Sequence, residues 1–236
     1  MDQKFTIDQV RTFWDKASSS YEPINKNLGY IHTHRFEKAL EYGLFEPNQT
    51  ILNTWSRTGN LLPYLRKTPN LTIFNREASP MMMTIARQKY PEENFELTDL
   101  ENLSEFDNNT FDRVISLETL EHTPRPIKFL TEISRTLKPG GLLIMSLPPK
   151  GMELGLRIYE LFFQNHGEGP HTFYWPSEVK KMIKQSGLQL IAHKPATILP
   201  LGNDKLTRLS EKVLGFIFGK TPLANFGVRH FYVCKK

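Results

Sequence analysis

The sequence predicts an α/β fold with a mainly parallel sheet, and two observations support this prediction. From about residue 50 onward, short apolar runs alternate with helical stretches, which is typical of successive βαβ units. The chain has 236 residues, of which 39% are hydrophobic and 23% charged, as in an ordinary folded domain. We therefore expect one structural domain built around a sheet.

The apolar runs predict strands at 50–54, 71–75, 95–97, 113–117 and 142–147, with a further pair near 188–193 and 228–234. The helical stretches predict helices at 60–67, 80–90, 126–137 and 176–186. Pro80, Pro126 and Pro176 suit the first turn of a helix, where a missing N–H costs nothing. The run Lys-Pro-Gly-Gly at 138–141 predicts the end of a helix and a sharp turn into the next strand.

The region before the sheet differs in pattern from the rest. Residues 1–45 predict two amphipathic helices that form a lid, and residues 46–236 predict the α/β core. Within the core, residues 148–175 are rich in Pro, Gly and His and form the longest irregular connection. Because long connections on α/β scaffolds often carry function, we expect a substrate-side insertion there.

Composition limits the location and the partners. The single cysteine, Cys234, excludes an internal disulfide and a cysteine-built zinc site. No apolar run approaches the roughly 20 residues that span a bilayer, and the N-terminus lacks the apolar core of a signal peptide, so a cytoplasmic location is expected. The net charge of +5 comes from scattered lysines and arginines, which argues against nucleic acid. An acidic small molecule and an anionic membrane face suit this charge equally well.

Three ordered segments resemble class I S-adenosylmethionine-dependent methyltransferases, in the small-molecule branch that includes quinone-biosynthesis enzymes. They read Phe-Asp-Arg-Val-Ile-Ser at 111–116, Glu-Thr-Leu-Glu-His at 118–122 and Leu-Lys-Pro-Gly-Gly-Leu-Leu at 137–143. The resemblance covers roughly residues 45–147. It implies a doubly wound sheet of seven mostly parallel strands, with an antiparallel strand in the last pair, and S-adenosylmethionine as cofactor.

The resemblance also implies roles for four cofactor-binding residues. Glu77 matches the acid that ends the second strand and accepts hydrogen bonds from the ribose hydroxyls. Asp99 matches the aspartate that approaches the adenine amino group. Glu118 is expected to position the cofactor, and Tyr21 resembles an N-terminal aromatic residue that covers it. Taken singly, Glu77, Asp99 and Glu118 are also compatible with ordinary loop acids.

The glycine-rich motif after the first strand departs from the family pattern. Asn53 stands in place of an acid, Trp55 and Arg57 stand in place of two glycines, and Gly59 is retained. Glycines occur in such loops because the backbone bends tightly and comes close to the cofactor. In one interpretation the loop is remodelled and Arg57 pairs with the cofactor's carboxylate. In the other, Trp55 or Arg57 fills the pocket and cofactor binding is lost.

His122 is the first candidate for a catalytic base, since it follows the fourth strand at the carboxyl edge of the sheet. His171 is the second. With His166 it flanks a Gly-Glu-Gly-Pro run that could close over a substrate, and the aromatic residues at 173–175 would supply an apolar wall. A helix-entry histidine and a surface loop are the structural alternatives.

Three other patterns carry no function. His32 and His34 are alternate residues of a predicted helix and point to different sides, so no metal site is expected. The run at 215–221 resembles a phosphate loop but has one residue too few between its glycines. Tyr232 and Lys236 have the spacing of a dehydrogenase pair but lie on a predicted strand.

Residues 203–218 place Leu206, Leu209, Val213, Leu214 and Ile217 on one helical face. Such a stripe usually belongs to the core or to a dimer interface, and a homodimer is compatible with it. A lip that admits a lipid or another apolar substrate is the alternative.

The function expected from these patterns is methyl transfer from S-adenosylmethionine to a small organic acceptor. The alternative is a catalytically lapsed methyltransferase-fold protein that acts as a binding or partner subunit. It is motivated by Asn53, Trp55 and Arg57.

Overall fold

The computed structural model describes residues 4–99, 101–153, 167, 169–199, 201, 203–219 and 221–236. In this part of the chain the α-helices are α1 (Ile7–Leu28), α2 (Tyr30–Gly43), α3 (Leu62–Leu65), α4 (Pro80–Lys89), α5 (Pro126–Thr136), α6 (Pro176–Gln185) and α7 (Asp204–Phe218). The strands are β1 (Thr50–Thr54), β2 (Thr72–Glu77), β3 (Phe95–Leu97), β4 (Phe111–Leu117), β5 (Leu137–Leu147), β6 (Gln189–Ala196) and β7 (Arg229–Lys235). Short 3₁₀ helices lie at Leu120–His122, Lys150–Met152 and Pro222–Phe226.

The seven strands form one sheet in the order β3-β2-β1-β4-β5-β7-β6. Strands β1 to β5 run parallel, and β7 is antiparallel to both β5 and β6. The order reverses between β1 and β4, so the crevice at their carboxyl ends is the expected binding position in an open α/β sheet. The predicted fold class, including the antiparallel strand in the last pair, is confirmed.

Two apolar clusters cover the two faces of the sheet. One includes Trp14 of α1, Phe129 of α5 and Met182 of α6. The other includes Phe36 of α2 and Leu62 of α3. The first helix begins with a capping box, in which the Thr6 hydroxyl accepts from Gln9 N–H and the Gln9 side chain accepts from Thr6 N–H.

The two N-terminal helices predicted for residues 1–45 are present, and α1 is tied to the start of α4. Arg11 Nε donates to the Ala78 carbonyl over 2.9 Å, and Asp15 accepts from Met81 N–H over 3.1 Å. The division into a lid at 1–45 and a core at 46–236 remains a prediction.

The prediction for residues 138–141 was wrong in part. The helix does end at Thr136, but the Lys-Pro-Gly-Gly run lies inside β5 and does not precede it. Gly140 takes φ 80°, and the register between β4 and β5 shifts at Phe111 and Arg113. Because glycine tolerates positive φ, the strand can continue through this register shift. The strand therefore begins earlier than the sequence pattern indicates.

The helix predicted at 60–67 is also shorter than expected and covers only Leu62–Leu65. Of the insertion predicted at 148–175, residues 154–166 and 168 lie outside the described residues, and so does His166. Within its described part, Pro149 and Tyr174 form an isolated parallel β-bridge. Among the described helices, none has the length and hydropathy needed to cross a membrane.

Candidate active site

The loop after β1 has a backbone conformation typical of glycine at two positions that are not glycine. Trp55 has φ 47°, Arg57 has φ 54° and Gly59 has φ 80°. Positive φ costs a residue with a Cβ about 1–2 kcal/mol. Two of the positions where the family has glycine thus have positive φ, and the loop bears this strain at two bulky residues.

The Arg57 side chain lies between two indole rings. Its guanidinium carbon is 3.7 Å from the ring centroid of Trp14 and 3.7 Å from that of Trp55. Burial lowers the pKa of Arg57, while the Glu77 carboxylate opposes this shift. Trp14, Trp55 and Arg57, which we call the indole–arginine stack, are all buried and pack against one another at this loop.

Several polar atoms of this loop have no partner. Among the described residues, Arg57 Nη1, Trp55 Nε1 and the Ser56 hydroxyl are buried and make no hydrogen bond. The Ser116 hydroxyl at the end of β4 is in the same state. A buried donor without an acceptor costs about 1–3 kcal/mol, so a cluster of them suits an anionic or oxygen-rich ligand.

Glu77 at the end of β2 holds the same loop through a hydrogen bond to its backbone. It is fully buried, and its carboxylate accepts from the backbone N–H of Arg57 at 2.5 Å, of Ala78 at 3.0 Å and of Ser79 at 2.9 Å. Burial raises the pKa of Glu77, while the Arg57 charge and these N–H groups oppose the rise. The residue predicted to hold a ribose therefore braces the loop in this conformation.

Two other predicted cofactor residues lie at the edges of the crevice. The Asn53 amide donates to the Asn75 side chain over 2.9 Å, which links β1 to β2 within the sheet. Asp99 follows β3, is exposed, and accepts from Glu101 N–H over 3.0 Å. Their predicted roles toward a cofactor remain predictions.

Helix α1 supplies Tyr21 to the same cluster. Tyr21 is buried, its ring lies 6.1 Å from that of Trp14, and its hydroxyl accepts from Arg35 over 3.1 Å. The structure thus brings Tyr21 to the loop, as a covering residue requires. Trp14 was missed by the sequence analysis, although its spacing of seven residues from Tyr21 puts both on one helical face.

Glu118 begins the segment after β4 and also has positive φ, at 53°. Its carboxylate accepts from the Ser146 hydroxyl over 2.7 Å and lies 3.6 Å from Arg229 Nε. These contacts tie the ends of β4, β5 and β7 together. Its predicted role in positioning a cofactor is untested.

The two candidate catalytic histidines come together. Their ring centroids are 6.2 Å apart, and the ring of His122 also lies 5.0 Å from that of Trp55. His122 Nδ1 is 2.9 Å from the Pro170 carbonyl, and His171 Nδ1 is 2.7 Å from the Gly169 carbonyl. A carbonyl only accepts, so in each neutral ring Nδ1 carries the hydrogen and Nε2 is the basic nitrogen.

An open groove of about 820 Å³ runs from His171 along the outer side of α1. Its walls include Phe5, Phe13 and Pro170, and Lys4 and Lys16 lie at its rim. The stack, His122 and His171 therefore form a line from the β1 loop to an accessible groove. His32 and His34 stay apart from it, and no metal-binding group of His, Cys, Asp or Glu occurs among the described residues.

Comparison with known proteins agrees with this fold. Residues 56–145 match the methyltransferase domain family. The structure of an S-adenosylmethionine-dependent methyltransferase from Thermotoga maritima superposes with a TM-score of 0.69 at 19% identity, covering 96% of this chain and 99% of that one. Over residues 56–145 the chain is thus similar to the methyltransferase domain family, and it shares the fold of this solved structure.

Two curated relatives narrow the branch. The ubiquinone biosynthesis O-methyltransferase of Hydrogenovibrio crunogenus is 27% identical over 77% of this chain and 76% of its own. The enzyme of the same name from Dinoroseobacter shibae is 31% identical over 39% of this chain and 39% of its own length. The chain is therefore similar to quinone-biosynthesis methyltransferases, but it spans well under half of the second relative.

The site can be tested for its fit to S-adenosylmethionine. The unpartnered donors of Arg57 and Trp55 suit the carboxylate of its methionine part, and Glu77 and Asp99 lie at the ends of neighbouring strands, where the sugar and base belong in the family. The unpartnered hydrogen-bond donors of the loop therefore suit the cofactor's carboxylate, and Trp14, Trp55 and Arg57 are buried against one another beside them in this structure.

Proposed function

We propose that this chain transfers a methyl group from S-adenosylmethionine to a small organic acceptor. The observation that carries the proposal is the buried Arg57 guanidinium, whose Nη1 has no hydrogen-bond partner among the described residues. It lies at the loop where the family holds its cofactor. A planar guanidinium matches a carboxylate well, so Arg57 would supply by its side chain what glycine backbone supplies in relatives.

The bound cofactor would supply an electrophilic methyl group, and the chain would align the acceptor and take up a proton. His122 is the candidate base, because Nε2 is its basic nitrogen and the ring touches both the stack and His171. The groove beside His171 would admit the acceptor. Phenolic and quinone-ring compounds are the first class to test, since the two relatives are named for ubiquinone biosynthesis.

Calorimetric titration with S-adenosylmethionine and S-adenosylhomocysteine tests the cofactor. We expect micromolar binding of both, and Arg57→Gln should weaken it at least tenfold, since a charge-assisted hydrogen bond contributes about 1.5–3 kcal/mol. Arg76→Gln is the matched control, because Arg76 is also buried but is paired with Glu96 and Glu105 at 2.9 and 3.1 Å. Equal losses in both variants would remove the special role of Arg57.

Methyl transfer to candidate phenols tests the base. His122→Asn should lower the turnover number by about 10²–10³, as expected for loss of a general base, with cofactor affinity within threefold of the parent. His171→Asn is expected to raise the KM for the acceptor more than it lowers the turnover number. Unchanged turnover in His122→Asn would exclude the residue as the base.

A second function is favoured by the stack itself, which fills the crevice with the protein's own side chains. A lapsed enzyme that serves as a partner subunit would have such a pocket. In that case the folded parent gives no heat with millimolar cofactor, and the double replacement Trp55→Gly with Arg57→Gly restores binding. The same titrations therefore separate the two functions.

A further inference from the structure

Helix α7 is an amphipathic helix that turns its apolar side outward. Its large apolar residues at positions 206, 209, 213, 216 and 217 share one face about 100° wide. Leu206, Leu209, Val213 and Ile217 are about half exposed, and Phe216 is 90% exposed. The sequence analysis expected this stripe in the core or in a dimer interface, and the core assignment was wrong.

The opposite, polar side of α7 faces the protein. Thr207 and Ser210 are buried, and their hydroxyls accept from the backbone N–H groups of Leu201 at 3.2 Å and Leu199 at 3.0 Å. Because these hydrogen bonds need hydroxyls at those two positions, they fix the rotation of the helix about its axis. The outward apolar face therefore follows from specific contacts.

Both carboxylates of α7 also point inward. Asp204 accepts from the backbone N–H of Tyr30 over 3.0 Å. Glu211 accepts from the Tyr30 hydroxyl over 2.5 Å and lies 3.0 Å from His34 Nε2. Both acids of the helix are thus engaged by α2.

The charges that remain on the outer side are basic. Lys205 and Lys212 are exposed along one border of the apolar stripe. Arg208 lies further round, where Glu37 binds both of its terminal nitrogens at 2.7 Å. Lys205 and Lys212 make no ion pair with any of the described residues. An apolar stripe bordered by such lysines has the pattern of a helix that lies in the interface of an anionic membrane.

Exposed apolar residues also flank the helix along the chain. Leu199 and Leu201 precede α7, and Leu223 and Phe226 lie in the 3₁₀ helix that follows it. All four are 49–56% exposed. Exposed apolar surface of this extent is rare on monomers and marks an interaction site.

We propose that α7 and these flanking residues, together the α7 surface, bind the face of an anionic lipid bilayer. At about 1.5 Å per residue, the 15 residues of α7 span about 23 Å, too short for the roughly 30 Å hydrocarbon core, so the helix lies in the plane of the interface. A twofold dimer would place the same lysine-bordered surface on both sides of the contact, which is electrostatically unfavourable. The proposal does not depend on the proposed methyl transfer.

Co-sedimentation with vesicles tests the proposal. One set contains phosphatidylcholine alone, and the other contains phosphatidylcholine with 30% phosphatidylglycerol by composition, a roughly physiological anionic content. We expect the parent to bind the anionic vesicles at least tenfold more tightly than the neutral ones. High salt should reduce this preference.

Two variants separate the apolar and the charged contributions. Leu209→Ser with Phe216→Ser should lose at least tenfold in binding to both vesicle types. Lys205→Glu with Lys212→Glu should lower binding to anionic vesicles to the neutral level. Met81→Ser is the matched control, since Met81 is a half-exposed apolar residue of α4, and it should bind like the parent. Circular dichroism melting checks that all variants are folded.

Light scattering after size-exclusion chromatography tests the other occupants. A monomeric parent that binds anionic vesicles supports the proposal. A parent dimer that Leu209→Ser with Phe216→Ser converts to monomers would overturn it, because a second copy would then cover the α7 surface. Absence of binding to either vesicle type would overturn it as well.

Discussion

The crevice at β1 and the α7 surface depart in opposite ways from the usual pattern, in which buried polar groups are hydrogen-bonded and large apolar side chains are buried. The crevice buries polar groups without partners, namely Arg57 Nη1 and Trp55 Nε1 among the described residues, whereas α7 exposes apolar side chains to water. Folding alone favours neither arrangement, because both leave favourable contacts unmade. Such departures are typical of regions that bind something outside the chain, and they support the two proposals of a polar ligand at the crevice and a lipid face at α7.

The largest change in the free energy of unfolding is expected at Glu77, which binds the backbone of the β1 loop. Glu77→Ala leaves three buried N–H groups without an acceptor and should lower the free energy of unfolding by about 3–5 kcal/mol. Asp99→Ala is the matched change at an exposed acid and should cost less than about 1 kcal/mol. Urea unfolding measures both. Equal costs would show that Glu77 is not the brace of the loop.

Cofactor affinity of the same variant gives a separate reading. If Glu77 also holds the ribose, Glu77→Ala should weaken S-adenosylmethionine binding by several-fold to a hundredfold at a temperature where the protein is folded. Calorimetric titration measures it. Unchanged affinity would contradict the ribose role and leave Glu77 as a brace alone.

Gly59 and Gly140 share φ 80° and differ in their surroundings, which makes a sharper comparison within the fold. A Cβ on Gly59 would lie 2.8 Å from the Tyr90 ring, whereas one on Gly140 would meet nothing nearer than Lys235 at 3.8 Å. Gly59→Ala should cost about 3 kcal/mol through strain and overlap, and Gly140→Ala about 1 kcal/mol through strain. Thermal unfolding distinguishes them, and equal shifts would show that space at the loop is not limiting.

The free energy of unfolding should depend on pH through a pair of histidines, one of which bonds the 3₁₀ helix of the α7 surface. His230 Nε2 donates to the Ala224 carbonyl over 3.0 Å, so its Nδ1 accepts from His193 Nε2 over 2.9 Å, and both rings are neutral. Burial lowers the pKa of both histidines from 6.5 to about 4. Below pH 6.5 the unfolded chain binds more protons, so this stability is complete above 6.5 and is lost as the pH falls toward 4.

We expect a loss of about 2 kcal/mol between pH 7 and pH 4.5, after allowance for the partial exposure of His193. Urea unfolding at several pH values measures the slope. His193→Phe keeps a ring that can stack on Tyr232 and removes one titrating group, so its slope should be about half that of the parent. A slope as steep as the parent's would mean that other groups dominate.

The smallest effect is expected at the most exposed apolar residue. Phe216→Ser should change the free energy of unfolding by less than about 0.5 kcal/mol, because the side chain makes few contacts in the folded chain. Phe231→Ala, at a fully buried phenylalanine of β7, should cost about 3–5 kcal/mol. A large cost for Phe216→Ser would show that this side chain is packed in the folded protein and would contradict its outward position.

The sequence determined the fold class because hydrophobic periodicity and helix-starting prolines are local. Alternating apolar and helical runs predict strands and helices without knowledge of which elements pack against them. The segments at 111–122 and 137–143 indicate the resemblance to the family directly. The same local signals could not set the start of β5, because Gly140 at positive φ and a register shift depend on the neighbouring strand. The sequence showed that Trp55 and Arg57 stand where the family has glycine, but their positive φ is a property of the folded loop.

Tertiary structure alone decided what the side chains do. Arg57 lies between Trp14 and Trp55 because α1 crosses the loop, and no sequence spacing connects residues so far apart. His122 and His171 meet because β4 and the chain before α6 end at one edge of the sheet.

The stripe on α7 was visible in the sequence, but its direction was not. The hydroxyls of Thr207 and Ser210 and the two inward carboxylates find partners on the protein and turn the apolar face to solvent. Periodicity predicts that a helix has two faces, and only the partners available in three dimensions decide which face is buried.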